Sequence, residues 1–228
     1  VIADVVIPAY NESRAVASVI GAIDKTLVRR IVVVDNHSDD NTGAVALAAG
    51  AVVLREERRG YGSACLCGLA YLAAQPPDVV VFLDADFSDY PDDLQQVLEP
   101  IRSGAARMVI GARVKRLRES GSMMPQQLFG NWLAALLIRL FFGARFTDLG
   151  PFRAITWEAL QALQMRDRDY GWTVEMQIKA AKQRLPFAEV PVRYRRRIGV
   201  SKVSGTLRGT VMAGYKILFT LFRHGWSR

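Results

Sequence analysis

The sequence predicts an α/β fold, a parallel sheet with helices on both faces, and three observations carry that prediction. Residues 1–112 alternate short β-branched runs with helical patterns, the order that right-handed strand–helix–strand crossovers require. Each apolar run ends at its carboxyl side in polar residues, so those ends converge on one crevice of the sheet, where ligands of such folds bind. Hydrophobic residues make up 50% of the 228-residue chain, enough to fill one large core and to exclude a disordered protein.

Asp4 to Pro8 reads as the first strand, and Asn11-Glu12-Ser13 opens an amphipathic helix to about Lys25. Ile31 to Val34 is a buried strand ending at Asp35. Asp39 and Asp40 sit at a helix start, where the dipole favours acids, and that helix runs to about Ala49. Ala51 to Leu54 is the third strand, and Gly60-Tyr61-Gly62 leads into a helix of small residues through Ala74. No Gly-x-Gly-x-x-Gly follows the first strand, which excludes the dinucleotide fingerprint. Val79 to Leu83 is the fourth strand, Pro91 suits the first turn of the next helix, and Met108 to Ile110 is the fifth strand.

Beyond residue 113 the pattern changes. Leu128 to Phe142 reads as an apolar helix, Thr147 to Ile155 as an extended segment, Thr173 to Arg184 as a helix and Ala188 to Tyr194 as a strand. Val203 to Phe222 is an amphipathic helix with Val203, Leu207, Val211, Tyr215, Leu218 and Phe222 on one face. Both this helix and Leu128–Phe142 can pack on a core or lie in a membrane interface.

Charge divides the chain. Residues 1–112 carry 9 basic and 15 acidic side chains and residues 113–228 carry 21 and 7, so the first part is net −6 and the second +14. A polyanionic partner is expected for the second part. Arginine-rich loops without interleaved aromatics argue against nucleic acid. Cys65 and Cys67 are too close for an unstrained disulfide. With only His37 and His224 besides, no zinc set is complete, and the thiols read as reduced in a cytosolic chain. No secretory leader is read at Val1, and no run of ~20 clean apolar residues offers a span. The nearest, Leu128 to Phe146, is broken by Asn131, Arg139 and Arg145.

The residues with most chemical content are Asp84-Ala85-Asp86, which close the fourth strand. Two carboxylates at the carboxyl edge of such a sheet suit a hard divalent ion, Mg2+ or Mn2+, that already carries phosphate oxygens. A helix cap beside a solvated loop acid is the bland alternative.

Several motifs in order resemble the family 2 glycosyltransferases of GT-A fold. They are Val6-Ile7-Pro8-Ala9-Tyr10-Asn11-Glu12, Val33-Val34-Asp35-Asn36-His37-Ser38, Asp84-Ala85-Asp86 and Gly111-Ala112-Arg113. Thr147-Asp148-Leu149-Gly150-Pro151-Phe152-Arg153 and Arg196-x-x-Gly199-x-Ser201-Lys202 are similar to the dolichyl- and polyprenyl-phosphate sugar transferases within it. The resemblance implies a Rossmann-like, mixed but mostly parallel sheet plus C-terminal amphipathic helices. It makes residues 1–113 the nucleotide-sugar half and 114–228 the acceptor half of one continuous domain.

The resemblance also implies roles. Pro8, Ala9, Tyr10, Asn11, Glu12, Asp35, Arg59, Gly62, Asp84 and Ala85 would hold the nucleotide-sugar. Asp86, with Asp84 and Ser88, would bind the metal. Arg113, Asp148, Arg153, Arg196, Ser201 and Lys202 would meet acceptor or phosphate, and Asp84, Asp86, Arg113 and Glu175 would be catalytic. Ser88 stands where the family often has Gln, and Asp89 where it often has His.

The expected activity is metal-dependent, inverting transfer of a hexose from a UDP- or GDP-sugar to a phosphorylated acceptor, most naturally a polyprenyl phosphate. Peripheral membrane contact at the cytoplasmic face is expected with it. One alternative is the same fold acting on a hydroxyl acceptor, which needs a general base, with Asp148 or Glu175 as candidates. For Glu175 an i, i+4 ion pair with Lys179 is the plain structural reading. The other alternative is a non-catalytic module that binds anionic surfaces.

Overall fold

In the computed structural model, which describes residues 1–199, seven strands form one sheet. They are β1 (Ala3–Ala9), β2 (Arg30–Asp35), β3 (Val52–Arg55), β4 (Val79–Phe82), β5 (Met108–Ala112), β6 (Arg153–Thr156) and β7 (Phe187–Pro191), in the order β3-β2-β1-β4-β6-β5-β7. β1 pairs in parallel with β2 and β4, and β2 with β3. β6 is antiparallel to both β4 and β5, while β7 runs parallel to β5. The second half of the chain thus places a strand inside the sheet of the first half.

Successive strand residues point to opposite faces. Val5, Ile7, Val33 and Val81 pack on one side against α1 (Val16–Ala22), α2 (Thr42–Ala48) and α4 (Leu94–Arg102). Val6, Val32, Val34, Val80 and Phe82 face the other side. There they meet α3 (Tyr61–Leu72), α5 (Pro125–Phe142), α6 (Trp157–Leu163) and α7 (Trp172–Lys182). Both faces of the inner strands are therefore buried, which is why they read as unbroken Val/Ile runs rather than alternating ones.

The departures from expectation have local causes. α1 begins at Val16 rather than near Asn11, because the polar residues before it bond to the loop after β2. Asn11 N–H donates to Ser38 Oγ, Glu12 N–H to Thr42 Oγ1 and Ser13 N–H to Asp40 Oδ2. α2 starts at Thr42, whose N–H and hydroxyl both donate to Asp40. The segment Thr147 to Ile155 is a loop up to Phe152, and only Arg153–Thr156 pairs as a strand. α6 was not expected. Its signal is present, since Thr156 caps it by accepting from Ala159 N–H and Glu158 sits in its first turn. Ser201, Lys202 and the predicted helix Val203–Phe222 lie outside the described residues.

Candidate functional site

The carboxyl ends of β1, β2 and β4 open onto a cleft of about 400 Å3. Pro8, Ala9, Tyr10 and Glu12 follow β1, and Asn36 follows β2. Arg59, Gly60 and Tyr61 join β3 to α3, Asp84, Ala85 and Asp86 form the floor, and Tyr170 and Arg197 come from the second half.

One wall is a fixed platform. The Arg59 guanidinium lies over the Tyr10 ring at 4.6 Å and pairs with Asp39 at 3.3 Å. Asn36 staples the loop before α3, donating from Nδ2 to the carbonyls of Glu56 and Arg58 and accepting from Gly60 N–H. A carboxylate at position 36 could not donate to those two carbonyls, so the amide belongs to this loop. Asn11, with φ 52°, accepts from Asp39 N–H through Oδ1 and braces the same wall. Asp35 does not line the cleft. It is buried behind the cleft, accepting from Ser38 N–H and Arg55.

The floor concentrates negative charge. Asp86 is 7% exposed, and Ser88 donates to its Oδ1 from both N–H (2.9 Å) and hydroxyl (2.5 Å). Ser88 thus orients Asp86. The Asp86 Oδ2 faces Arg197 Nη1 at 3.2 Å, and Arg197 Nη2 reaches Glu12 Oε1 at 2.5 Å. Asp84 accepts from the Tyr61 hydroxyl at 3.1 Å. Burial first, and the charge of Asp86 second, raise its pKa to about 7. Asp89 is buried with both carboxyl oxygens unpaired among the described residues. Burial, reinforced by Asp84 and Asp86, pushes its pKa well above the ordinary carboxylate value.

Behind the floor, Arg113 and Asp148 form a closed pair. Asp148 accepts from Arg113 N–H (2.7 Å), Nε (2.8 Å) and Nη2 (2.6 Å). Burial works to raise the Asp148 carboxyl, but Arg113 outweighs it and the pKa is lowered. Burial alone would lower the Arg113 guanidinium, and Asp148 reverses the sign.

Four expected site residues are engaged elsewhere. Arg153 is fully buried and donates to the carbonyls of Leu149, Gly150 and Thr173, so it is out of reach of a phosphate in the cleft. Burial, the largest influence, pushes its pKa down to about 10. Arg196 lies on the surface, donating to Ser120 O, and it is the neighbouring Arg197 that enters the cleft. Glu175 is 3% exposed, accepts from Arg166 and Asp167 N–H, and pairs with Lys179 at 2.7 Å. Gly62 is packed under the 167–169 loop, where a Cβ would stand 2.0 Å from Asp167 O.

Tyr61, Tyr170 and Arg197 were missed from sequence. Tyr61 had a signal, its place between two glycines after a strand. Tyr170 had none. Arg197 was hidden in a run of three arginines, where only the path of the chain selects which one turns inward.

Among the described residues no three His, Cys, Asp or Glu side chains converge into an ion cage. A divalent ion here would take part of its ligand set from substrate phosphates, as Mg2+ commonly does. The donors fit that use, since Asp86 Oδ2 already meets a cation and Ser88 holds its partner oxygen.

The profile of Glycosyl transferase family 2 matches residues 4–164. An uncharacterised glycosyltransferase of Mycobacterium tuberculosis is 36% identical over 211 residues, covering 92% of this chain and 93% of that protein. An undecaprenyl-phosphate mannosyltransferase of Micrococcus luteus is 30% identical over 220 residues, covering 90% and 88%. Among solved structures, glucosyl-3-phosphoglycerate synthase of M. tuberculosis with Mn2+, UDP-glucose and phosphoglyceric acid superposes with a TM-score of 0.77. It is 26% identical, and the match covers 98% of this chain and 79% of that one.

Proposed function

The chain belongs to glycosyl transferase family 2, and from that premise we propose that it moves a hexose from a UDP- or GDP-sugar onto a polyprenyl phosphate at the inner face of the membrane. It is a nucleotide-sugar-dependent glycosyltransferase of GT-A fold, so the non-catalytic alternative is set aside. The observation that carries the choice of acceptor is the state of the two candidate bases. Asp148 is held ionised in the Arg113 pair and Glu175 is locked in the α7 turn. An acceptor hydroxyl needs a base within hydrogen-bond reach. A phosphate oxygen is already anionic and needs none.

In this reading the Tyr10–Arg59 wall holds the base and ribose. Asp84 and Asp86 set the pyrophosphate end of the donor over the cleft floor. A divalent ion at Asp86 would supply charge neutralisation of the leaving diphosphate. The acceptor oxygen attacks the anomeric carbon, the bond to the diphosphate breaks with its electron pair, and the configuration inverts. Membrane contact is supported by α5, whose Phe129, Trp132, Leu140 and Phe141 are exposed, and by the basic stretch Lys115-Arg116-Leu117-Arg118 before it. No helix among the described residues is long and apolar enough to cross a membrane.

The test offers UDP- and GDP-hexoses with undecaprenyl phosphate or 3-phosphoglycerate, in Mn2+ or in chelator. The expected product is a lipid-linked glycosyl phosphodiester of inverted anomeric configuration. It should be lost in chelator and reduced by about 100-fold or more in Asp86→Ala. Transfer to 3-phosphoglycerate alone would move the assignment to a hydroxyl acceptor.

A further inference from the structure

The segment from Arg193 to Ile198 is strapped along the loop that follows Asp86. Arg193 pairs with Asp93 at 2.6 Å. The Arg195 guanidinium stacks on Phe87 at 3.5 Å and Tyr90 at 3.9 Å, and donates to Phe87 O. Arg195 N–H donates to Ser88 O and Ile198 N–H to Asp86 O. Arg197 stands between those two backbone anchors, so its side chain is delivered into the cleft by the strap.

There it bridges Glu12 and Asp86, carboxylates that come from the ends of two different strands and are each 7% exposed. Asp86 has only one oxygen left for a further cation, because Oδ1 already accepts twice from Ser88. That oxygen, Oδ2, is the one that Arg197 holds. A metal ion and the guanidinium therefore compete for a single atom. Among the described residues the buried Arg197 Nε has no hydrogen-bond partner, so the contacts described leave that donor unused. Guanidinium pairs strongly and bidentately with phosphate oxygens.

We propose that Arg197 is a built-in counter-ion that occupies the metal position of Asp86 in the donor-free enzyme and yields it when a nucleoside diphosphate draws the guanidinium onto its phosphates. The inference rests on the metal-dependent reading above. Its consequence is an ordering. The ion alone binds weakly, the ion and the donor bind together, and by linkage each tightens the other by the same factor. Without Arg197, the Asp86 Oδ2 would lose the cation that now faces it and be open to a divalent ion.

The test is Mn2+ binding, read from the loss of the free-ion electron paramagnetic resonance signal, with and without UDP or GDP. Wild type should hold Mn2+ weakly alone and about tenfold or more tighter with the matching nucleotide. Arg197→Gln should bind Mn2+ without nucleotide about tenfold tighter than wild type and lose most of the nucleotide effect. Adding Asp86→Asn should abolish the gained site, and Arg197→Lys, which keeps the charge, should remain close to wild type. Arg197→Met replaces the Gln variant if that protein does not fold. If removing the charge leaves nucleotide-free Mn2+ affinity unchanged while wild type still gains it with nucleotide, the inference falls and the proposed function stands. If wild type takes up no Mn2+ with either nucleotide, the metal-dependent reading falls and takes the inference with it.

Discussion

Asp84 holds a carboxyl group in poor company for a charge: an enclosed floor and the Asp86 carboxylate two residues on. Its pKa is about 7 in the fold, against an ordinary 3.8. The folded state therefore binds more protons than the unfolded chain between about pH 4 and pH 7, and stability falls as pH rises through that window. Above it the full cost is present, as expected of a site selected for ligand charge rather than for folding. Asp84→Asn should raise the melting temperature by about 3 °C or more at pH 8 and match wild type near pH 4, measured by calorimetry. A variant that melts lower at pH 8 would refute this account. The residue types at the floor were legible from sequence, because a strand ending in Asp-x-Asp has few structural uses. The directions of Asp35, Arg153 and Glu175 were not, because an acid or arginine beside a cleft and one behind it look alike in a string.

At the scale of elements, α3 shows how remote parts of the chain hold the cleft wall. Its first turn is capped by another loop, with Gly62 N–H donating to Asp169 O and Ser63 N–H to Arg168 O. That approach needs glycine twice. A Cβ at Gly60 would meet Arg168 O at 2.1 Å, and Gly60 has φ 143°, a conformation that side chains disfavour. Glu175 on α7 anchors the far end of the loop through two backbone N–H groups, and Lys179 neutralises it. The loop in turn presents Tyr170 to the cleft. We infer that Glu175 positions the loop and takes no part in bond-making. Glu175→Gln should lower stability by about 1–3 kcal/mol and raise the KM for donor, with kcat held within about tenfold. Near-complete loss of kcat at unaltered stability would return Glu175 to the chemistry. The Gly60-Tyr61-Gly62 signal was visible in the sequence, but it reads equally as a phosphate turn or a packing turn. The 167–169 loop that decides between them lies about a hundred residues away.

For the whole molecule, the charge asymmetry and the outer face of α5 point the same way. Phe129 and Trp132 are 61% and 57% exposed, with ring centroids 5.8 Å apart, on a helix preceded by basic residues. Large apolar groups in such a setting bind the boundary of an anionic bilayer. Phe129→Ser combined with Trp132→Ser should cut binding to phosphatidylglycerol-containing vesicles by about tenfold or more, seen by co-sedimentation, and leave the melting temperature nearly unchanged. Unchanged vesicle binding would refute a membrane role for α5.

The sequence by itself determined the strand–helix alternation, the crevice at the strand ends and the carboxylate pair on its floor. Those follow from local periodicity and from residue types that carry their chemistry wherever they sit. Only the tertiary structure decided that β6 enters antiparallel between β4 and β5 and that Arg153 is buried beneath the site. It also decided that Arg197, rather than Arg196, faces Asp86. Strand order and side-chain direction depend on contacts between residues far apart in the chain, and neighbours in sequence such as Arg195, Arg196 and Arg197 are told apart only by what each one meets.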